Sequence, residues 1–461
     1  MNSPHKTYTA TRNACKLCAP LGASMAYKGI QGCVPIIHGS QGCATYVRRY
    51  MISHFREPVD IASSNFSEES TIFGGGPNLK LALNNVGNQY KPLHIGISTT
   101  CLSETIGDDV PQIIKEFRKE HPDLSHVGLA HAATPSYCGS HVDGFHQAII
   151  AVIKNLSDET LKNDKLVILP GMLSPADYRY LHDVFDFMGQ GAIFLPDLSE
   201  TLDNPHWHDY KRIPDGGTTP QELFEIGGSK GFIQFGDVFN RGAEAHTVSK
   251  RKLSTPGATL REKYQLPGKT VTMPIGVNAT DRFFEAILEM SGKKMPERYE
   301  KERGRLVDAY TDGHKYVFEK RAVVYGEEDF VIGLTEFLSE IGVEPVLIAT
   351  GGKSSVFESI IREKLQPGHQ PKIMTGADFE EISEHCKDVD PDFIIGHSKG
   401  YYISKELNVP LIRVGFPIHD RIGGQRVKHI GYEGSHELFD RIVNALLEYK
   451  QSNNAIGYKY L

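Results

Sequence analysis

The stretch HIGISTTCLSETIGDDVPQIIKEFRKE, residues 94–120, carries in one piece the pattern that decides the fold. His94–Thr99 is a short run of strand character, and Thr99, Thr100 and Cys101 make the turn that follows it. Glu104, Asp108 and Asp109 come next, acidic residues suited to a helix's first turn, where the helix dipole favours negative charge. Val110–Glu120 is then amphipathic and of helix length. The same succession recurs along the chain. Further strand-like runs lie at Lys165–Leu169, Ala192–Leu195, Arg321–Val324, Pro345–Ile348 and Asp392–Ile395. Helix-length stretches lie at Gly144–Asn155, Glu328–Ile341, Lys353–Lys364 and His436–Tyr449. Such alternation predicts parallel sheets flanked by helices.

The units fall into three groups with softer junctions near residues 155–165 and 300–320. The expected fold is therefore α/β, with three Rossmann-like, doubly wound domains over residues 1–160, 161–310 and 311–461. In such sheets functional residues gather at the carboxyl ends of strands. Cys101 fits that rule, as do Gly396-His397-Ser398 and Ala349-Thr350-Gly351-Gly352, the last able to approach an anion at a helix N-terminus. No Walker A pattern occurs, and Gly22 to Gly32 forms no dinucleotide fingerprint after a strand.

Composition narrows the function classes. At 461 residues the chain is too long for one ordinary core. An apolar content of 40% with 23% charged residues is that of a soluble globular protein. The net charge of −7 argues against a nucleic-acid binder. No segment approaches the roughly 20 apolar residues of a membrane helix. The polar stretch Met1 to Arg12 lacks the apolar region of a signal peptide, so a cytoplasmic location is expected.

Cysteine is where the chemistry concentrates. Six of the seven (Cys15, Cys18, Cys33, Cys43, Cys101, Cys138 and Cys386) precede residue 140. In a large cytosolic protein such residues are buried, catalytic or metal-binding rather than bridged. Cys15-x-x-Cys18 lacks the nearby second pair of a zinc knuckle. Cys18 precedes Ala19-Pro20-Leu21-Gly22, Cys43 closes His38-Gly39-Ser40-Gln41-Gly42-Cys43, and Cys101 closes Ser98-Thr99-Thr100-Cys101. Small residues and turn formers at each allow backbone to approach a bulky cluster and offer amide donors to its sulfides. Three spaced thiolates are too few for a self-contained four-cysteine site.

The chain resembles the β-type subunits of the nitrogenase component 1 family. The resemblance rests on Cys18 to Ala23, His38 to Cys43, His54-Phe55-Arg56-Glu57-Pro58-Val59 and Phe73-Gly74-Gly75. It continues through Ser98 to Cys101, Gly107-Asp108-Asp109, Thr134 to His141 and Glu302 to Asp308. Pro410 to Arg413, Gly415-Phe416-Pro417 and Gly431-Tyr432-Glu433-Gly434 complete it. It implies that Cys18, Cys43 and Cys101, with three cysteines of an α-type subunit, hold an eight-iron, seven-sulfur P-cluster. Ser136 matches a serine that approaches the oxidised cluster, and Tyr46 an aromatic near the electron path. Cys15, Cys33, Cys138 and Cys386 match no ligand and read as small buried apolar residues, although Cys15 could stand in for its neighbour Cys18. Asp308 and Asp312, one helical turn apart, match with the Arg56-Glu57 segment a mononuclear metal site between two β-type subunits; solvated acids on a helix are the alternative.

The implied role is electron relay from an ATP-dependent iron protein to a cofactor in the α-type partner, within an α2β2 heterotetramer. Three variants stay open: a nitrogenase, a nitrogenase-like reductase of another small substrate such as a methylthio-alkane, and a cofactor-assembly scaffold. Ile422-Gly423-Gly424-Gln425-Arg426 leans toward the scaffold, while the intact cysteine triad leans toward a reductase. A cluster-free protein closing on a small ligand is the reading from another class, and it leaves three cysteines at turns unexplained.

Overall fold

The computed structural model describes residues 13–158, 161–238, 247–248, 251–252 and 254–454. Three parallel sheets dominate it. The first holds β1 (Cys33–His38), β2 (Ala62–Ser63), β3 (His94–Thr99) and β4 (Gly128–Ala132) in the order β2-β1-β3-β4. The second holds β5 (Leu166–Leu169), β6 (Ala192–Phe194), β7 (Gly231–Phe235) and, after a short antiparallel hairpin of β8 (Thr247–Val248) and β9 (Arg251–Lys252), β10 (Gly268–Val271). Its order is β10-β7-β5-β6. The third holds β11 (Arg321–Gly326), β12 (Glu344–Thr350), β13 (Lys372–Met374), β14 (Phe393–Gly396) and β15 (Leu411–Arg413), ordered β13-β12-β11-β14-β15. In each sheet the earliest strand lies inside and later strands are added on both of its sides, which is the doubly wound topology the sequence predicts. The predicted strand at residues 94–99 and helix at 110–120 have the predicted bounds.

The helix Ala19–Lys28 escapes the periodic pattern because all ten of its residues are buried and it has no polar face. It is buried by extreme approach to the helix His141–Leu156. A Cβ on Gly22 would lie 1.6 Å from the carbonyl oxygen of His141, and one on Gly144 would lie 1.9 Å from that of Ala19. Tyr27, fully buried, anchors the helix beneath the first sheet by donating its hydroxyl to the carbonyls of Ile97 (3.3 Å) and Ala130 (3.2 Å).

Both ends of the described chain cross between units. Residues 13–15 lie on the third unit: Cys15 N–H donates to Ala377 O, and Phe379 N–H to Asn13 O, both at 3.0 Å. This strap covers the Ala349–Gly352 turn, where a Cβ on Gly351 would meet the Cys15 carbonyl at 2.4 Å. The expectation that this turn approaches an anion is thereby corrected, since the chain's own backbone occupies that position. At the other end, His429 N–H and Nδ1 meet the buried Asp177 carboxylate at 2.6 and 2.8 Å, joining the third unit to the second. The last helix, Gly431–Ser452, packs on Glu297–Val317, with Phe439 against Gly313 and 5.0 Å from the ring of Tyr310. The largest hydrophobic cluster among the described residues runs through all three units, with separate ones in the first and third.

Gly144→Ala is expected to cost more than the roughly 1–3 kcal/mol of ordinary overpacking, because backbone rather than a side chain must move. Thermal unfolding of the purified protein would measure it, and a melting temperature equal to wild type would refute the contact.

Candidate cluster-binding site

Local folding places the three cysteines at the starts of helices. Cys18 is the N-cap of Ala19–Lys28, with extended φ and ψ of −66° and 143°. Cys43 sits in the first turn of Gln41–Phe55, whose N-cap Ser40 accepts the Gly42 N–H. Cys101 is the first residue of Cys101–Ile106, which Thr100 and Ser103 close with a reciprocal capping box. All three thiols thus stand at the positive ends of helices, where a thiolate is favoured.

The fold brings these distant positions into one patch. Burial raises the Cys43 thiol, and the neighbouring Cys18 and Cys101 sulfurs raise it further. Cys18 and Cys43 are half-buried and Cys101 is exposed, so the patch opens outward. Ser136 joins two of its edges: its N–H donates to Cys101 Sγ at 3.2 Å, and its Oγ accepts the Ala19 N–H at 3.1 Å. Tyr46 belongs to the same patch, its phenol held high by burial and by the adjacent Cys18 sulfur. Lys399, fixed by donating to Ala14 O at 3.0 Å, brings a cation from the third unit toward Cys18. No spacing in the sequence signals Lys399, because its place depends on the strap crossing to the third sheet.

The remaining cysteines separate cleanly. Burial pushes the thiols of Cys15, Cys33 and Cys386 up to about 12. Cys15 faces the third unit's core, with Tyr325 and Phe379 in the same cluster, which corrects the expectation that it could replace Cys18. Cys138 is half-buried beside Thr134 and Gly139, outside the hydrophobic core.

Among the described residues, no three or more His, Cys, Asp or Glu side chains are gathered so as to hold one metal ion. The cysteine patch is open on one side, with Cys101 exposed. Its outward opening and spread suit a larger group completed from outside. The acidic candidates are not brought together within one chain. Asp308 and Asp312 are exposed on Glu297–Val317, whereas Glu57 accepts the Asn204 N–H at 3.1 Å. Burial raises the Glu57 carboxyl, with nearby Asp203 adding to the effect.

Three doubly wound sheets, an outward-opening thiol patch on helix N-termini and a serine spanning two of its edges are the distinguishing features of the chain. The model of the nitrogenase component 1 type oxidoreductases matches residues 18–447. The chain belongs to that family, in its β-type branch, and is a subunit of an oxidoreductase complex. The nitrogenase molybdenum-iron protein beta chain of Clostridium pasteurianum is 37% identical, over 95% of this chain and 93% of that protein. The corresponding chain of Azotobacter vinelandii is 35% identical, covering 95% and 84%. The nitrogenase vanadium-iron protein beta chain of Trichormus variabilis is 34% identical, covering 95% of each. A solved structure of nitrogenase Cp1 at pH 6.5 superposes with a TM-score of 0.92 at 34% identity, over 100% of this chain and 98% of that one. No helix among the described residues is long and apolar enough to cross a membrane.

The far end of the Cys43 helix is locked by His54, whose Nδ1 accepts the Ile418 N–H at 2.8 Å. Burial pulls its pKa down to about 3, so the folded state keeps it neutral. The unfolded chain binds a proton there below about pH 6.5. Stability from this group is therefore present above that pH and is lost as pH falls toward the folded value. Unfolding titrations between pH 7.5 and about 5 should show a shallower acid loss for His54→Gln than for wild type; parallel curves would exclude His54 as a source of acid sensitivity.

Proposed function

We propose that this chain is the β-type subunit of a nitrogenase component 1 complex. In this reading Cys18, Cys43 and Cys101 hold half of an eight-iron, seven-sulfur P-cluster shared with an α-type subunit. The observation that carries the reading is the convergence of three thiols from three helix starts, near enough that Cys18 and Cys101 both bear on Cys43, on a face that opens outward. Bound there, the cluster supplies reversible electron storage between an ATP-dependent iron protein and the metal cofactor of the α-type partner. The chain's own residues supply position and exclusion. The Ser136 N–H stabilises charge on Cys101 sulfur, and Tyr46 closes the side next to Cys18. Ser136 Oγ is a hard donor at the rim, suited to a more oxidised iron.

The molybdenum-iron and vanadium-iron beta chains among its relatives favour dinitrogen as the substrate of the α2β2 assembly over a methylthio-alkane. They likewise favour a reductase over a cofactor-assembly scaffold. A second metal, held between two β-type subunits by half-buried Glu57 and exposed Asp308 and Asp312, would need the second copy to bring them together. The cytoplasm is the compartment that fits reduced thiols and an ATP-driven donor.

A docking face for the donor lies beside the patch. The short helix Glu68–Phe73 packs on Cys101–Ile106 and ends in Ile72 and Phe73, 72% and 82% exposed. Glu68, Glu69 and Asp109 are exposed around it. An apolar tip ringed by acids fits a partner whose apolar contact is bordered by basic residues.

Anaerobic iron counting and electron paramagnetic resonance on complexes carrying Cys43→Ala or Cys101→Ala should show lost or altered cluster. Undiminished iron and unchanged signals in both would sink the assignment. Ser136→Ala should retain near-normal iron while shifting the potential of an oxidised state; identical redox titrations would remove Ser136 from the site. The chain expressed without its partner should be metal-poor, since a half-site cannot close the ligand shell.

A further inference from the structure

One buried hydrogen-bond path fills the space between the Ile72–Phe73 tip and the turns that present Cys43 and Cys101. Phe73 ends its helix at Gly74, and the next N–H, that of Gly75, donates to both Asp108 carboxylate oxygens at 3.0 and 3.1 Å. Asp108 Oδ2 also meets His38 Nε2 at 3.1 Å. On its other side His38 Nδ1 meets Ser64 Oγ at 3.0 Å, and Ser64 Oγ accepts the Gly39 N–H at 2.9 Å. This pattern assigns a neutral imidazole that donates from Nε2 and accepts at Nδ1. Burial, which lowers the His38 pKa against the pull of Asp108, agrees with that state.

The His38 backbone completes the path. Its carbonyl accepts Thr100 N–H and Thr100 Oγ1, each at 3.2 Å, and Ser103 Oγ at 2.9 Å. Thr100 and Ser103 are the capping box of the Cys101 helix, and Ser40, two residues beyond His38, caps the Cys43 helix. The arrangement has little slack. A Cβ on Gly75 would meet the Phe66 ring at 2.2 Å, and one on Gly39 would meet Thr100 Oγ1 at 2.2 Å. A shift at Gly75 must then break a buried hydrogen bond or move His38 with it, and the first course is costly. The Ser64-His38-Asp108 succession resembles a hydrolytic triad, but Ser64 is only 4% exposed and already accepts the Gly39 amide, so it offers no nucleophile to a substrate.

We propose that His38 and Asp108 are positioning residues that carry the seating of the electron donor at Ile72–Phe73 inward to the turns presenting Cys43 and Cys101. The inference rests on the relay reading above and names the residues through which docking is felt at the cluster half-site.

The test uses the assembled, cluster-loaded complex bearing Asp108→Asn or His38→Gln. Four quantities are compared with wild type: iron content, the response to a small low-potential reductant, the rate of donor-driven electron transfer, and amide hydrogen exchange over residues 100–106 with and without the donor. Iron content and the small-reductant response should match wild type. Donor-driven transfer should fall about five- to tenfold, the lower range of coupling between linked sites, and donor-induced protection of residues 100–106 should disappear. Wild-type transfer with protection retained would overturn the proposal. So would a parallel fall in iron content and in both electron-transfer responses, which marks a purely structural role. If either variant fails to assemble, Ser64→Ala removes only the hydroxyl beneath His38 Nδ1, and the same exchange comparison decides. A wild-type complex that takes no electrons from any iron protein would refute the relay reading instead, with the wild-type exchange data still reporting whether docking reaches residues 100–106.

Discussion

The cysteine face depends on a contact in which almost no side chain takes part. Gly22 and Gly144 let the helices Ala19–Lys28 and His141–Leu156 meet backbone to backbone, at distances where any Cβ would collide with a carbonyl. That closeness brings the N-terminus of one helix, with Cys18, beside the Thr134–Gly139 loop that leads into the other. Only then can the Ala19 N–H reach Ser136 Oγ while the Ser136 N–H reaches Cys101 Sγ. The geometry of the thiol patch is thus set by two glycines that touch none of its sulfurs. A patch fixed from behind by packed backbone is preorganised for a rigid group, at no side-chain entropy cost.

Much of this architecture can be read from residue order, and the failures have physical causes. Strands such as β3, bounded by turn formers and followed by a capped amphipathic helix, are legible because local pattern and tertiary role agree. Ala19–Lys28 is not, since a helix buried on every side has no polar stripe to mark its period. The triad Cys18, Cys43 and Cys101 stands out through its small-residue neighbours and its family resemblance. Lys399 near Cys18, and the path from Gly75 through His38, arise from contacts between segments far apart in the chain. The Ala349–Gly352 turn shows the converse error. A glycine pair after a strand suggests room for a ligand, yet the room at Gly351 is filled by the Cys15 backbone. Small residues report that something comes close, without saying whether it is a ligand or the same chain.

The outward side of the site is as informative as its packed rear. Exposed Cys101, half-buried Cys18 and Cys43, and the protruding Phe73 give this subunit two kinds of unfinished surface next to each other. Thiols call for a permanent partner, because soft ligands left in solvent are open to oxidation. An aromatic tip among acids fits a partner that comes and goes, held by a small contact with a charged rim. In the proposed reading, the packing of Glu68–Phe73 on Cys101–Ile106 sets the donor's contact one layer from that of the α-type partner.

The strap at residues 13–15 carries a consequence for the order in which the molecule is made. Its hydrogen-bond partners, Ala377, Phe379 and Lys399, are translated among the last quarter of the chain. Until they emerge, residues 13–15 have nothing to lie on, although Cys18, Cys43 and Cys101 already belong to a unit that has been synthesised. Sequence-distant pairings of this kind form late and slowly. On the ribosome, therefore, the first unit can set all three thiols while residues 13–15 are still loose. The cover over the Ala349–Gly352 turn is accordingly an addition of the finished polypeptide and not of the nascent one.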